Sequence, residues 1–166
     1  MLFRSIPVMD PEVADTVEAL TEDCWDKVIG TNLKGSWLGM RAVIPHLRAA
    51  GGGRIVNTSS LSSTRGVPGL AAYSTSKGGI DALTRQAAAE YAADGILINA
   101  ISPGTIRTPL LAAQTEEFQR ANAANHLIKR LGETSEVAAM AAFLLTEGSF
   151  VTGAVLSVDG GWGAKA

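Results

Sequence analysis

The sequence predicts an α/β domain, with about three parallel strands and flanking helices arranged as a doubly wound sheet. Two observations carry that prediction. Segments of helical period alternate with three short apolar or β-branched runs, and such alternation implies a parallel sheet with right-handed crossovers. Each run also ends on polar or glycine residues: Ser59-Ser60, Ser102-Pro103-Gly104 and Asp159-Gly160-Gly161. In a doubly wound sheet, ligands bind beyond the carboxyl ends of the strands, where these residues collect.

Taken in order, residues 1–20 show no clear period and contain Pro7, Pro11 and several acids, so a loop or arm is expected. Thr21 is a candidate N-cap, with Glu22 and Asp23 in the first turn. Trp25, Val28, Ile29, Leu33, Trp37, Met40 and Ile44 then recur at three- and four-residue steps, marking one long amphipathic helix. Pro45 falls late in it as a possible kink, and Gly51-Gly52-Gly53 ends it. Arg54-Ile55-Val56-Asn57-Thr58 reads as a buried parallel strand. After a connection marked by Gly66, Pro68 and Gly69, a helix runs from about Tyr73 to Ala92. Its Gly78, Gly79 and Ala82 suit a close approach of another backbone.

Gly95 closes that helix, and Ile96 to Ile101 form the second strand, turning at Ser102-Pro103-Gly104-Thr105. Thr108 to about Asn122 is expected to be one weakly patterned helix, with Pro109 in its first turn. Residues 123–133 are expected to be loop. Thr134 opens a helix through Leu145, and Thr134 with Val137 does not complete a capping box. Ala154 to Val158 is the last strand.

A chain of 166 residues with 46% apolar and 18% charged residues is long enough to bury one core. A net charge of -2 and a pI near 5.7 give no basic surface for nucleic acid or an anionic membrane. Cys24 is the one cysteine, which excludes an internal disulfide and suits a reducing compartment. No apolar run is long enough for a signal peptide core or a membrane span, so a cytoplasmic protein is expected. His46 and His126 have no partner at ligand spacing, and no metal site is expected. Gly30 to Ser36 has P-loop glycine spacing without the lysine after the second glycine. The sequon Asn57-Thr58-Ser59 lies at the end of a buried strand, and no GxSxG hydrolase motif occurs.

The stretch with legible chemistry is Tyr73-Ser74-Thr75-Ser76-Lys77. Four residues apart on a helix, Tyr73 and Lys77 share a face. A phenol ionises near pH 10 and needs help to exchange a proton at neutral pH. An ammonium about 4 Å away supplies on the order of 4 kcal/mol at an effective dielectric near 20, in the direction of the phenolate. Read from residue types alone, Ser59 and Ser60 are turn or cap residues, Asn32 faces solvent or bonds back to its helix, and residues 103–108 lead into an N-capped helix.

These residues, with their order and spacing, resemble the short-chain dehydrogenase/reductase family. The resemblance rests on Asn32, Arg54-Ile55-Val56-Asn57-Thr58-Ser59-Ser60, Tyr73-x-x-x-Lys77, Asn99-Ala100-Ile101-Ser102-Pro103-Gly104, Thr152-Gly153 and Val158-Asp159-Gly160-Gly161. It covers nearly the whole chain from about Leu20. The family's TGxxxGxG loop and NAG segment do not occur. The resemblance therefore implies the C-terminal portion of a Rossmann-like sheet, with residues 21–166 as a partial catalytic domain.

By resemblance, Tyr73 is the acid/base and Ser60, thirteen residues earlier, holds the substrate oxygen. Ser59 is the weaker candidate. Lys77 also binds the nicotinamide ribose, and Asn32 holds a water in a proton relay to Lys77. Residues Pro103, Gly104, Ile106 and Thr108 form a nicotinamide clamp, with Tyr73 and Lys77 also touching the cofactor. The implied cofactor is NAD or NADP, the substrate a small carbonyl compound or secondary alcohol, and the assembly a homo-oligomer, dimer or tetramer. Without the glycine loop that seats the pyrophosphate at a helix N-terminus, cofactor affinity is expected to fall sharply. The competing reading is a non-catalytic remnant acting only as a folding or oligomerisation unit. The Arg54–Asn57 strand is expected to have an open edge, and with it low stability or pairing with another chain.

Overall fold

A computed structural model describes residues 15–164; the first fourteen residues of the expected arm lie outside the described residues. Within 15–20, Asp15 is buried rather than loosely attached. Its backbone carbonyl accepts from Ala71 N at 3.1 Å and its carboxylate from Ala72 N at 2.9 Å. It thereby caps a later helix whose own N-cap, Leu70, has no capping side chain.

The long amphipathic helix is present, but in two α-helical parts, α1 (Glu22–Ile29) and α2 (Gly35–Ala49), joined by a π-helical turn at Gly30–Lys34. Thr21 is its N-cap, accepting from Cys24 N. Helix α2 runs past Pro45 to Ala49, so the change in helix type falls at residues 30–34 rather than at the proline. Strand β1 (Gly53–Thr58) follows, then a 3₁₀ turn at Leu61–Ser63, helix α3 (Ala71–Tyr91) and strand β2 (Ile96–Pro103).

The region beyond β2 departs from the sequence expectation. Two residues, β3 (Ile106–Arg107), pair in parallel with β4 (Gly132–Glu133). Between them the single expected helix is two, α4 (Pro109–Ala112), capped by Thr108, and α5 (Glu116–Asn125), capped by Thr115. Pairs of two-residue strands have no periodicity to detect. Helix α6 (Thr134–Thr146) does have a capping box, one residue earlier than Thr134, between Glu133 and Glu136. Strand β5 (Val155–Val158) ends the sheet.

The three-stranded sheet is parallel, in the order β1-β2-β5, with Ile55 opposite Ile98 and Ile101 opposite Leu156. Alternate residues face opposite layers. Ile55, Ile96 and Ile98 pack with Met40 and Ile44 of α2 and Ala87 and Ala88 of α3. Val56 and Ile101 pack on the other face with Ala141 and Leu144 of α6. Both faces are thus covered, as expected of a doubly wound sheet, and each fully buried isoleucine contributes roughly 2–3 kcal/mol. Gly79 admits the Leu33 side chain, which a Cβ would meet at 2.7 Å; the close neighbour at this glycine is a side chain, not a backbone. That contact seats α3 against the π turn.

Candidate active site

The carboxyl end of β1 and the first two turns of α3 form the site. Tyr73 and Lys77 share one face of α3, as their spacing requires, and the Lys77 ammonium lies 5.4 Å from the centre of the Tyr73 ring. Lys77 is fully buried, and its Nζ donates to the Thr58 carbonyl at 2.7 Å, at the point where β1 ends. Burial draws its pKa down from 10.5 to about 8, against the pull of Asp81 one turn further along α3. Tyr73 itself is half-buried.

Ser60 caps the 3₁₀ turn, the role its residue type alone suggests. Its Oγ accepts from Ser62 N at 3.2 Å and from Ser62 Oγ at 3.0 Å. Both bonds use lone pairs, so the Ser60 O–H remains available to donate. Capping and holding a substrate oxygen are therefore compatible in one hydroxyl. Ser59 is fully buried, and its Oγ has no hydrogen-bond partner among the described residues.

Asn32 sits in the π turn, buried, and donates from Nδ2 to Ser76 Oγ at 3.0 Å; Ser76 Oγ donates in turn to the Tyr73 carbonyl at 2.7 Å. The π turn aims Asn32 at α3, and single π turns recur at functional positions. Asn32 is thus not solvent-facing, and its amide nitrogen reaches across to α3. Ser76 was not visible as a site residue, because a serine three positions after Tyr73 inside a helix has no distinguishing pattern.

Residues 103–108 lie beyond β2. Gly104 N donates to the Val158 carbonyl at 3.1 Å, and Ile106 pairs with Gly132 through β3 and β4. Thr108 Oγ accepts from Leu111 N as the cap of α4, which leaves its O–H free to donate among the described residues. A Cβ at Gly104 would come within 2.8 Å of His126 Nε2 and 3.0 Å of Asp159 Cα, so this turn needs glycine for space. The Asp159 carboxylate accepts from the Gly161 and Gly163 N–H groups and so closes the turn after the last strand. Among the described residues no group of His, Cys, Asp or Glu is arranged to hold a metal, and no helix is long and apolar enough to cross a membrane.

The chain matches known proteins along nearly all its length. A family model described as Enoyl-(Acyl carrier protein) reductase matches residues 1–163. Cyclohexanol dehydrogenase from Acinetobacter sp. is 42% identical over 153 residues, covering 91% of this chain and 59% of that protein. A 3-oxoacyl-[acyl-carrier protein] reductase from Brucella melitensis superposes with a TM-score of 0.90 at 36% identity, over 95% of this chain and 59% of that one. A structure of such a reductase from the same organism carries bound NAD. ElxO with NADP bound matches with a TM-score of 0.86 at 32% identity, over 98% of this chain and 65% of that one. The chain thus spans about six-tenths of the length of these relatives.

Proposed function

The chain belongs to the short-chain dehydrogenase/reductase family, and from that premise we propose that it is an oxidoreductase moving hydride between NAD or NADP and a small carbonyl compound or secondary alcohol. The observation that carries the reading is the placement of the Lys77 ammonium beside Tyr73 and against the end of β1, at Thr58, two residues before Ser60. The residues present suit the nicotinamide and ribose end of a dinucleotide: a buried ammonium, a phenol, and the uncommitted O–H groups of Ser60 and Thr108. The cofactor would supply the hydride.

The chain's own residues handle the proton and the orientation. In oxidation the Tyr73 phenolate takes the alcohol proton; in reduction the phenol donates it. Ser60 donates to the substrate oxygen, which holds the reacting carbon in place as charge develops there. Lys77 stabilises the phenolate by its field and donates to the ribose hydroxyls. Because burial leaves Lys77 with a pKa of about 8, its help is not that of a fixed charge but changes with pH in that region. Asn32 holds a water through which Lys77 regains its proton, and the Ser76 link to the Tyr73 carbonyl fixes that corner of the helix. The Gly104 turn, the backbone near Ile106 and Thr108 Oγ hold the carboxamide.

A second reading has its own support. Among the described residues no glycine-rich loop leads from a strand into a helix N-terminus, so none offers a seat for the pyrophosphate. On that reading the chain is a folding or oligomerisation unit. Oxidation of a panel of secondary alcohols with NAD⁺ or NADP⁺, followed by nicotinamide absorbance, separates the two. We expect turnover that Tyr73→Phe lowers by roughly 10²–10⁴-fold with the fold intact. Equal rates in the two proteins would remove Tyr73 from the mechanism.

A further inference from the structure

We propose that His126, outside the Tyr73 and Lys77 site, is a positioning residue for the cofactor-facing turn at 103–108, acting only while its imidazole is neutral. The proposal rests on the reading of that turn as the nicotinamide clamp. His126 is 2% exposed, and its Nε2 accepts the Thr105 N–H at 3.2 Å. An Nε2 that accepts is unprotonated, so the proton of the neutral ring is on Nδ1. Nδ1 is buried without a hydrogen-bond partner among the described residues.

Every polar group of Thr105 is bonded to the stretch that runs from α5 into β4. Its N–H goes to His126, its carbonyl accepts from Gly132 N at 3.0 Å, and its hydroxyl donates to Asn122 Oδ1 at 3.3 Å. The imidazole is wedged in turn by the last strand's end. It lies edge-on to Trp162 with ring centres 5.2 Å apart, and a Cβ at Gly160 would approach it to 3.3 Å. Gly104 has no room for a side chain because the ring fills that space. One side chain therefore joins the turn after β2, the turn after β5 and the chain entering β4. The remaining cavity beside it, about 360 Å³, is lined by the ionisable groups Asp159, Arg130 and Glu136. Asp159 is held by Gly161 and Gly163, and Arg130 pairs with Glu136 at 2.7 Å.

Protonation at Nε2 converts the acceptor into a donor facing the Thr105 N–H. The bond is lost, and the turn that presents Ile106 and Thr108 loosens. No reacting atom is touched; the effect passes through the backbone of Thr105.

The test needs no catalysis. In the isotope-labelled full chain, ring nitrogen resonances report the tautomer of His126, and the Thr105 amide reports the bond. We expect the Nδ1–H tautomer, with the Thr105 amide shifting in step with the His126 ring nitrogens and losing exchange protection when acid protonates Nε2. His126→Leu should remove the protection at every pH, and His126→Gln, which offers an oxygen acceptor, should restore it without the pH dependence. An Nε2–H tautomer, or a Thr105 amide indifferent to His126, overturns the proposal even if the Leu variant fails to fold. NADH and NADPH titrations form a separate arm: weaker binding by His126→Leu is expected. Absence of binding by the unsubstituted chain would defeat the clamp reading while leaving the Thr105 bond standing.

Discussion

Lys77 is the residue at which chemistry and stability meet. Its burial lowers its pKa from 10.5 to about 8, so between those values the unfolded chain carries a proton that the folded chain has released. Stability from this group therefore rises with pH across that window and is lowest below about pH 8, by about 3 kcal/mol. Urea denaturation at steps of pH should show that rise, and Lys77→Met should flatten it while raising stability at neutral pH. A rise of equal slope in the variant would place its origin elsewhere. Tyr73 and Lys77 were legible because a four-residue step on a helix is a local relation. Asp15, Ser76 and His126 were not, because their partners lie at Ala72, Asn32 and Thr105, relations that only the tertiary fold creates.

At the scale of elements, the alternating pattern was enough to place α1 with α2, β1, α3, β2, α6 and β5. The π turn at Gly30–Lys34 was hidden because an apolar stripe reads alike through an α and a π turn. The two-residue β3 and β4 were hidden because they are shorter than any period. The start of α3 depends on a cap from outside its own sequence, Asp15. Asp15→Ala should cost about 1 kcal/mol, read as a lower urea midpoint at unchanged slope. An unchanged midpoint would mean that the helix start is held by packing alone. Because Tyr73 lies in that first turn, the same substitution should also lower turnover.

For the molecule as a whole, strand β1 is one edge of the three-stranded sheet among the described residues, the open edge expected of the Arg54–Asn57 strand. Trp37 and Leu38 on α2 and Phe143 on α6 are each 43% exposed, and Phe150 is fully exposed. An open strand edge with apolar helix faces beside it favours self-association. Light scattering across a concentration series should find dimers or larger species, and a monodisperse, high-melting monomer would count against that. The central proposal is narrower: that the described residues hold the proton-transfer and nicotinamide end of a hydride-transfer site. Calorimetric titration of the purified chain with NADH and NADPH tests it most directly. The account predicts saturable but weak binding of at least one of them, with a Kd on the order of 1 mM, weakened further by Lys77→Met. Heats that never saturate with either cofactor, or binding indifferent to Lys77, would contradict it.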